Sequence, residues 1–425
     1  MFFFFSCEAS PLAWALEEST KSPSARLDAE CSYSAAMAAA RVAQLLFACL
    51  CLRLSAAAPA PPPLALHLLA DPAARCLDGS SAGYYYRAAA AANSTLWVVY
   101  MEGGGACYSY ADCLARSKTD LGSSARWSPT LSLQDNVLSS DAAVNPTFSG
   151  AHHVYIPYCS GDVHSGTRAG PLNATWPFTF AGHLIVAAVL DALAQGPAHA
   201  AAFAAAQEIL VSGSSAGGLG TLYNADYIAS RVPRGARVRA APQGGWFFPG
   251  VELFQAWAAN GGAGGPPIWR SLAFARELYA GYAAPACAAA FNDSFCASAT
   301  NLFPFTAVPT FVAENLVDSQ QVYDELLAPP ASPQLPAFLA YFHAAMRRAL
   351  ALVSPGAGHA LWAPGCFEHT DNLRFAAGNA NQTLVQGHSF RDALTSWWLG
   401  GSLPRVLQDA CGDPVGKQCN PTCPH

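Results

Sequence analysis

Short apolar runs alternate with segments of helical character along most of the chain, and this alternation constrains the fold more than any other feature. Short apolar runs predict strands at 96–101, 153–158, 208–212, 238–241 and 309–313. Apolar residues at helical spacing predict a helix at 182–194. Two more helices are predicted, at 216–232, which begins straight after a strand, and at 336–352, which is long and alanine-rich. Strands that alternate with helices form a mainly parallel sheet with helices on both faces. The sequence therefore predicts an α/β fold.

The size and composition of the chain indicate a single large domain. Of 425 residues, 52% are hydrophobic and 12% are charged, which is ample apolar material for one core. Residues 59–63 form a proline-rich spacer, and no comparable linker follows, so we expect one domain over 64–425. The net charge is −6 and the lysines and arginines are scattered, which argues against a nucleic-acid partner.

The amino-terminal region has the order of a secretory leader. Met37 offers a second start, followed by Arg41, an apolar run at 42–52 and small residues at 55–58. This order predicts a cleavable signal peptide over 37–58, with a signal anchor as the alternative. We therefore expect a secreted protein, extracellular or in a cell wall, without stable membrane insertion after cleavage. Residues 1–36 make a doubtful N-terminal extension, which an upstream start codon or a gene-model error would explain.

The cysteines support export. Four of the 14 precede the spacer, which leaves ten in the expected mature domain. An even number in an exported domain predicts disulfides, and the chain lacks the close cysteine pairs with partner histidines typical of zinc sites, so we expect no metal. Four Asn-x-Ser/Thr triplets, which also fit a secretory route, predict glycosylation at Asn93, Asn173, Asn292 and Asn381.

The segment Gly213-Ser214-Ser215-Ala216-Gly217 has the pattern G-x-S-x-G between a predicted strand and a predicted helix. In that context the second serine lies on a strained turn, and glycines are needed because neighbouring backbone approaches too closely for a Cβ atom. The helix that follows directs backbone N–H groups toward developing negative charge. The pattern therefore predicts Ser215 as a nucleophile.

A run of three glycines, Gly103-Gly104-Gly105, follows the predicted strand 96–101. Their N–H groups, together with that of Ala216, would form an oxyanion hole for an ester carbonyl. The alternative is a tight turn required by the nearby Cys107. A phosphate-binding loop is the weaker reading, because no Gly-Lys-Ser or Gly-Lys-Thr follows.

A nucleophilic serine of this kind needs an acid and a base that follow it in the order Ser, Asp, His. Among the downstream acids, Asp318 lies just beyond the predicted strand 309–313, where such a sheet presents its acid. His343 falls within a predicted helix and reads as structural. The pattern separates His359 from His369 only slightly, in favour of His369 as the base.

From residue 76 to the C-terminus the chain resembles the pectin acetylesterase and Notum group of carboxylesterases, through many motifs in one order. These motifs are Leu77-Asp78-Gly79, Gly83-Tyr84-Tyr85, Glu102-Gly103-Gly104, Cys107 with Cys113, Ile156-Pro157-Tyr158-Cys159, Asp162, Ser165-Gly166, Gly213-Ser214-Ser215-Ala216-Gly217-Gly218, Gly245-Trp246-Phe247, Asp318-Ser319-Gln320, Cys366-Phe367-Glu368-His369 and Cys419-Asn420-Pro421-Thr422-Cys423. The resemblance implies the α/β-hydrolase fold, with Ser215 as nucleophile, Asp318 as orienting acid and His369 as general base.

The same resemblance implies an oxyanion hole and a set of disulfides. The oxyanion donors are the N–H groups of Gly104, Gly105 and Ala216. The implied disulfides are Cys76 to Cys159, Cys107 to Cys113 and Cys287 to Cys296, while the pairing among Cys366, Cys411, Cys419 and Cys423 stays open. The chain departs from the pattern at two places: Gln243-Gly244 stands where relatives commonly have an Asp, and Thr370 where plant relatives often have a Cys.

The resemblance points to two-step ester hydrolysis through an acyl-enzyme on Ser215, without a cofactor. The tail 419–423 and the segment 366–369 favour removal of acetyl groups from a cell-wall polysaccharide such as pectin, by a monomeric enzyme. One alternative is removal of a fatty acyl group from a secreted protein, as in Notum. Others are a non-catalytic glycan-binding surface protein and a disulfide-stapled wall protein, although the latter leaves the serine turn unexplained.

Overall fold

The structure, a computed structural model, describes residues 61–197, 199–247, 277–291, 295–326, 335–375, 382–411 and 418–424. All of them belong to one compact unit, Pro61–His425. The predicted extension 1–36, the predicted signal peptide 37–58 and the glycosylation candidates Asn292 and Asn381 lie outside the described residues. The other two candidates, Asn93 and Asn173, have exposed side chains.

Fourteen strands occur in the described part of the chain. They are β1 Leu64–Leu68, β2 Gly83–Arg87, β3 Leu96–Met101, β4 Thr130–Leu131, β5 His152–Ile156, β6 Glu208–Ser214, β7 Arg237–Gln243, β8 Phe311–Ala313, β9 Val317–Asp318, β10 Ala360–Ala363, β11 Phe367–Glu368, β12 Leu384–Val385, β13 His388–Ser389 and β14 Val406–Gln408. Ten form one sheet in the order β14-β10-β8-β7-β6-β3-β5-β2-β1-β4. The run from β14 to β5 is parallel, and β2, β1 and β4 extend it with antiparallel pairs.

Nine α-helices accompany these strands within the described ranges. They are α1 Tyr110–Arg116, α2 Gly182–Gln195, α3 Ala200–Ala204, α4 Ala216–Arg231, α5 Pro285–Ala290, α6 Ala299–Leu302, α7 Ser319–Leu326, α8 Leu335–Leu350 and α9 Phe390–Leu399. Short 3₁₀ helices occupy Phe295–Ala297, Phe303–Phe305 and Pro355–Ala357. None of the described helices has the length and apolar character needed to cross a membrane.

Both faces of the sheet are buried, as strand β3 illustrates. Successive side chains of a strand point to opposite faces. Trp97 and Val99 belong to a core cluster with helix α2, whereas Val98 and Tyr100 belong to a different cluster with helix α9. This double burial explains the continuous apolar runs of the central strands. The prediction of a mainly parallel sheet covered on both faces is therefore confirmed.

Five disulfides join cysteines within the described part of the chain and hold the loops around this sheet. Three of them join the pairs that the resemblance implies, Cys76–Cys159, Cys107–Cys113 and Cys287–Cys296. The two pairs left open are Cys366–Cys423 and Cys411–Cys419, which fasten the C-terminal tail. The sulfurs of Cys411 and Cys419 also lie near Asp409, as metal ligands would. Because their sulfurs are joined in a disulfide, they offer no thiolate to a metal.

Candidate active site

Ser215 lies at the sharp turn between strand β6 and helix α4. Its backbone angles are φ 56° and ψ −122°, in a region that residues with a Cβ atom seldom adopt. The turn is held by a hydrogen bond from the Ser215 N–H to the carbonyl of Gln243 at 2.8 Å, and by one from the Leu219 N–H to the Ser215 carbonyl at 3.0 Å. These contacts fix the serine at the carboxyl edge of the parallel strands, as its G-x-S-x-G context predicts.

The glycines on either side of Ser215 are required by space. A Cβ atom on Gly213 would lie 2.4 Å from the Gly217 carbonyl oxygen, and one on Gly217 would lie 2.1 Å from the Met101 carbonyl oxygen. Both distances are well below van der Waals contact. The turn can therefore pack against strand β3 only when these two positions have no side chain.

The side chains of Ser215, His369 and Asp318 are joined in series by two hydrogen bonds. The Nε2 atom of His369 lies 2.7 Å from the Ser215 Oγ atom, and its Nδ1 atom lies 2.8 Å from Asp318 Oδ2. The short strands β9 and β11 bring the two partners together, because they pair in parallel with Asp318 opposite Glu368, the residue before His369. In this order the imidazole can act as a general base toward the serine hydroxyl, and the carboxylate orients the imidazole and stabilises its protonated form.

The Asp318 carboxylate is fully buried and yet well supplied with donors. Its Oδ1 atom accepts hydrogen bonds from the N–H groups of Gln320 at 2.9 Å and Gln321 at 3.1 Å. Burial alone would raise the pKa of Asp318, but the charge of His369 and the hydrogen bonds from His369 and Gln321 bring it below its ordinary value. The group is therefore an anion throughout the neutral range.

The structure distinguishes the histidines that the sequence pattern leaves as nearly equal candidates for the catalytic base. His359 contacts Thr310 instead of Ser215, with its Nδ1 atom accepting a hydrogen bond from the Thr310 N–H at 3.1 Å. His343 is buried within helix α8. Of the three candidates, His369 is the one placed beside the serine and the acid.

The glycine run after strand β3 lies against the serine turn. A Cβ atom on Gly103 would lie 2.5 Å from the Ser214 carbonyl oxygen. Gly104 and Gly105 have φ values of 140° and 69°, a backbone shape that favours glycine. Ala216 begins helix α4 directly after Ser215, so its N–H group belongs to the open helix end. The three predicted oxyanion donors thus all lie at the turn.

Several residues support this loop in ways that the sequence did not predict: Arg116 and His164 stand in none of the motifs, and Glu102 and Tyr158 stand in motifs without an assigned role. Arg116, at the end of helix α1, donates a hydrogen bond to the Gly104 carbonyl at 2.7 Å. Glu102 accepts one from the Tyr158 N–H at 2.8 Å, and the His164 ring lies 2.9 Å from the Glu102 carbonyl oxygen through Nε2. Their roles depend on contacts across the fold, for which no local pattern exists.

A cavity of about 1040 Å³ opens at the serine. Its apolar lining includes Leu133, Val163, Leu219 and Phe247, among the described residues. Its polar lining includes Ser109, Asp112, Arg116, Asn136 and Gln320. Thr370, one of the departures from the family pattern, also faces this cavity, whereas the side chain of Gln243 is buried and donates to the Ser212 hydroxyl at 3.0 Å. The site can therefore accommodate both an acyl group and a polar alcohol portion of an ester.

Comparison with known proteins agrees with this site. The family model for pectinacetylesterase matches residues 58–424. Palmitoleoyl-protein carboxylesterase notum1 of Xenopus laevis is 30% identical over 395 residues, covering 85% of this chain and 74% of the relative. Pectin acetylesterase 5 of Arabidopsis thaliana is 37% identical over 174 residues, covering 41% of this chain and 39% of the relative.

A solved structure shows the same fold. The Wnt deacylase Notum from Drosophila superimposes with a TM-score of 0.71 at 26% identity, covering 86% of this chain and 100% of that chain. Together with the family match, this similarity makes the chain a carboxylic ester hydrolase. The family model covers all of the residues that the structure describes. The chain belongs to the pectinacetylesterase family.

Proposed function

We propose that this protein is a serine carboxylesterase that removes acetyl groups from a cell-wall polysaccharide such as pectin, through an acyl-enzyme on Ser215. One observation carries the proposal: the His369 ring lies within hydrogen-bond distance of both the Ser215 hydroxyl and the buried Asp318 carboxylate. A weakly nucleophilic hydroxyl needs such a base, and the base needs such an acid to hold its tautomer.

In the first step, Ser215 Oγ attacks the ester carbonyl carbon while His369 Nε2 takes the hydroxyl proton. The tetrahedral intermediate collapses, the alcohol leaves with the proton from His369, and the acyl group stays on Ser215. In the second step, water gives a proton to His369 and attacks the acyl carbon. The bond between that carbon and Ser215 Oγ then breaks, the acid leaves, and His369 returns the proton to Ser215 Oγ. Asp318 stays ionised and stabilises the imidazolium in both steps.

The N–H groups of Gly104, Gly105 and Ala216 would bind the oxyanion of both intermediates. These donors act in a fixed arrangement, so they need no reorganisation when charge develops on the carbonyl oxygen. Loss of one such donor raises the barrier by about 2.7 to 4 kcal/mol in comparable sites. Much of the rate acceleration would therefore come from this loop.

The polar lining of the cavity supports a polysaccharide as the alcohol portion of the ester. Ser109, Asp112 and Arg116 line the cavity from helix α1 and its cap. Hydroxyl, carboxylate and guanidinium groups supply donors and acceptors for sugar hydroxyls. An acetyl group needs little apolar room, so the remainder of the cavity would hold sugar units.

A second candidate is removal of a fatty acyl group from a protein. The size of the cavity and its apolar residues Leu133, Val163, Leu219 and Phe247 favour it. Relatives named palmitoleoyl-protein carboxylesterases match the chain over 85% of its length. For either substrate we propose a secreted, monomeric enzyme, glycosylated at Asn93, Asn173, Asn292 and Asn381, whose signal peptide spans 37–58 and whose esterase domain spans 64–425.

The test is hydrolysis of p-nitrophenyl esters from acetate to palmitate by the purified protein, followed by acetate release from acetylated pectin. We compare Ser215→Ala and His369→Gln with the matched histidine variant His359→Gln. The first two changes should abolish hydrolysis, and the third should retain it. A Ser215-dependent preference for acetate supports the polysaccharide substrate, and a preference for palmitate supports the second candidate. A folded protein without activity on any ester would overturn both in favour of a glycan-binding protein.

A further inference from the structure

Glu314 is a fully buried carboxyl group that the mechanism above does not use. It follows strand β8 directly, four residues before Asp318, and its side chain is 0% exposed. Its backbone N–H donates to the Trp362 carbonyl at 3.1 Å, which fixes the residue at the carboxyl edge of the sheet. Burying a charged carboxylate costs free energy unless donors or cations compensate the charge. The groups around Glu314 therefore indicate whether it is a compensated anion or a neutral acid.

The two oxygens of Glu314 have different surroundings. The Oε2 atom accepts a hydrogen bond from the Trp246 N–H at 2.8 Å. No N–H or O–H group of the described residues donates to Oε1, which is also buried. The Asp318 side chain lies against the Glu314 side chain, where the two carboxyl groups can share a hydrogen bond. Such a contact requires a proton on one of the two acids.

The distribution of donors indicates which acid holds the proton. Asp318 accepts hydrogen bonds from two backbone N–H groups and faces the His369 ring, all of which favour its anion. Among the described residues, Glu314 has only the uncharged backbone N–H groups of Trp246 and Asn315 as donors. No histidine of these residues faces it, and its neighbour Asp318 is an anion. Burial, and then the charge of Asp318, raise the pKa of Glu314 well above its ordinary value. Two adjacent buried carboxyl groups with opposed environments take different protonation states.

We propose that Glu314 is protonated and donates a hydrogen bond from its carboxyl group to Asp318, which makes it a positioning residue for the hydrogen-bonded series of Ser215, His369 and Asp318. The inference rests on the proposed function of those three residues. Glu314 is not among the residues that line the cavity at Ser215. It acts by limiting the rotation of the Asp318 carboxylate, and the orientation of that carboxylate sets the orientation of the His369 ring.

Glu314 also joins this acid to a wall of the cavity. The Trp246 N–H binds Glu314, and the Trp246 carbonyl accepts a hydrogen bond from the Gln321 side chain at 3.3 Å. Trp246 is therefore held at both ends of its backbone by the segment that carries Asp318. The next residue, Phe247, lines the cavity. Glu314 thus connects the orientation of His369 with the position of Phe247.

A matched pair of substitutions tests the role. Glu314→Gln keeps an oxygen to accept from Trp246 and an amide to donate to Asp318, whereas Glu314→Met fills similar space without either group. On p-nitrophenyl acetate, we expect Gln to retain kcat within about twofold, and Met to lower kcat roughly tenfold or more with little change in KM. Thermal unfolding of both variants separates this effect from loss of the fold.

The pH profile reports the charge of Glu314. If the residue is neutral, Glu314→Gln replaces one neutral group by another, and the acid limb of kcat/KM stays where it is in the wild type. A shift of that limb to lower pH in the Gln variant would mean that a negative charge beside the base had been removed, which contradicts the proposal. Full activity of a folded Glu314→Met variant would also overturn it.

An infrared measurement keeps the inference separate from the proposed function. A protonated carboxylic acid has its own carbonyl stretching band, distinct from that of a carboxylate. We expect this band at neutral pH in the wild type and its loss in Glu314→Gln, even in a Ser215→Ala background without turnover. Its absence from the wild type would overturn the inference, while a protein that hydrolyses no ester but has the band would contradict only the proposed function.

Discussion

The guanidinium group of Arg116 donates a hydrogen bond to the carbonyl oxygen of Gly104, at 2.7 Å. The same peptide unit carries the N–H group of Gly105, and in a planar trans peptide the carbonyl and the N–H point in opposite directions. A contact that fixes the Gly104 carbonyl therefore fixes the direction of the Gly105 N–H, one of the proposed oxyanion donors. A charged donor also polarises the peptide unit, which strengthens the N–H as a donor.

Replacing Arg116 by methionine should lower kcat while KM changes little. The Gly104–Gly105 peptide would lose its anchor, and the upper bound of the effect is loss of one oxyanion donor, about 100- to 1000-fold in kcat. We expect a decrease of roughly tenfold or more, measured on p-nitrophenyl acetate. Arg126→Met is the control, because Arg126 is an exposed side chain paired with Asp120 at the surface. Wild-type kcat in a folded Arg116→Met protein would contradict this role.

The local features of the active site were accessible from the sequence. Strands β3, β6 and β7 read as apolar runs because both of their faces are buried, and the turn at Ser215 has the glycines that its crowding requires. The predicted helix at 216–232 closely matches α4, Ala216–Arg231. Short-range sterics and burial dictate all of these, so they leave a mark in the local pattern.

The remaining features depend on contacts between distant segments. Strands β1, β2 and β4 form the antiparallel edge of the sheet, and the sequence reasoning did not predict them. The choice between His359 and His369 depends on the pairing of the short strands β9 and β11. Two-residue strands carry no periodicity. The partners of the four C-terminal cysteines likewise depend on how the tail returns to the sheet.

Gly217→Ala should abolish activity and strongly lower the stability of the fold. The new Cβ atom would lie 2.1 Å from the Met101 carbonyl oxygen, a backbone atom that cannot move without displacing strand β3. We expect a loss of about 3 kcal/mol or more in the free energy of unfolding, measured by urea denaturation. Gly150→Ala is the matched control, because a Cβ atom at that position would have no neighbouring atom within 4 Å. The idea fails if the two variants have equal stability.

The protein should lose stability as the pH falls below neutrality, partly because of His153. This ring is fully buried, and burial followed by the charge of Arg87 lowers its pKa from 6.5 to about 3. Between these values the unfolded chain binds a proton that the folded chain does not, so stability is greatest above 6.5 and decreases toward 3. Buried His164, with a pKa lowered to about 4, contributes in the same direction.

The measurement for His153 is the melting temperature between about pH 7 and pH 4, in the wild type and in His153→Gln. A glutamine can still accept from Arg87 and donate to the Phe148 carbonyl, which the His153 ring contacts through Nε2 at 2.7 Å. Because glutamine does not titrate, the variant should lose less stability on acidification, and His164 accounts for part of what remains. Identical slopes for the two proteins would mean that His153 does not contribute.

Removal of one disulfide should cause the larger loss of stability, and removal of another the larger loss of activity. Cys366–Cys423 closes a loop of sequence separation 57, and Cys107–Cys113 one of separation 6. In the chain-entropy model their removal costs about 4 and about 2 kcal/mol, respectively. Replacing Cys366 and Cys423 by alanine should therefore cause the larger loss of stability.

Loss of the Cys107–Cys113 disulfide should lower kcat more than loss of Cys366–Cys423, at a temperature where both double alanine variants are folded. Cys107–Cys113 connects the glycine loop to helix α1, which carries Arg116, so its loss should loosen the proposed oxyanion donors and lower kcat. Cys366 lies three residues before His369, but the pairing of strands β9 and β11 still holds that segment beside Asp318. Urea denaturation and kcat on p-nitrophenyl acetate measure the two quantities independently. If one double variant shows the larger loss of both stability and kcat, a general weakening of the fold explains the data, and the specific link between helix α1 and the oxyanion loop is wrong.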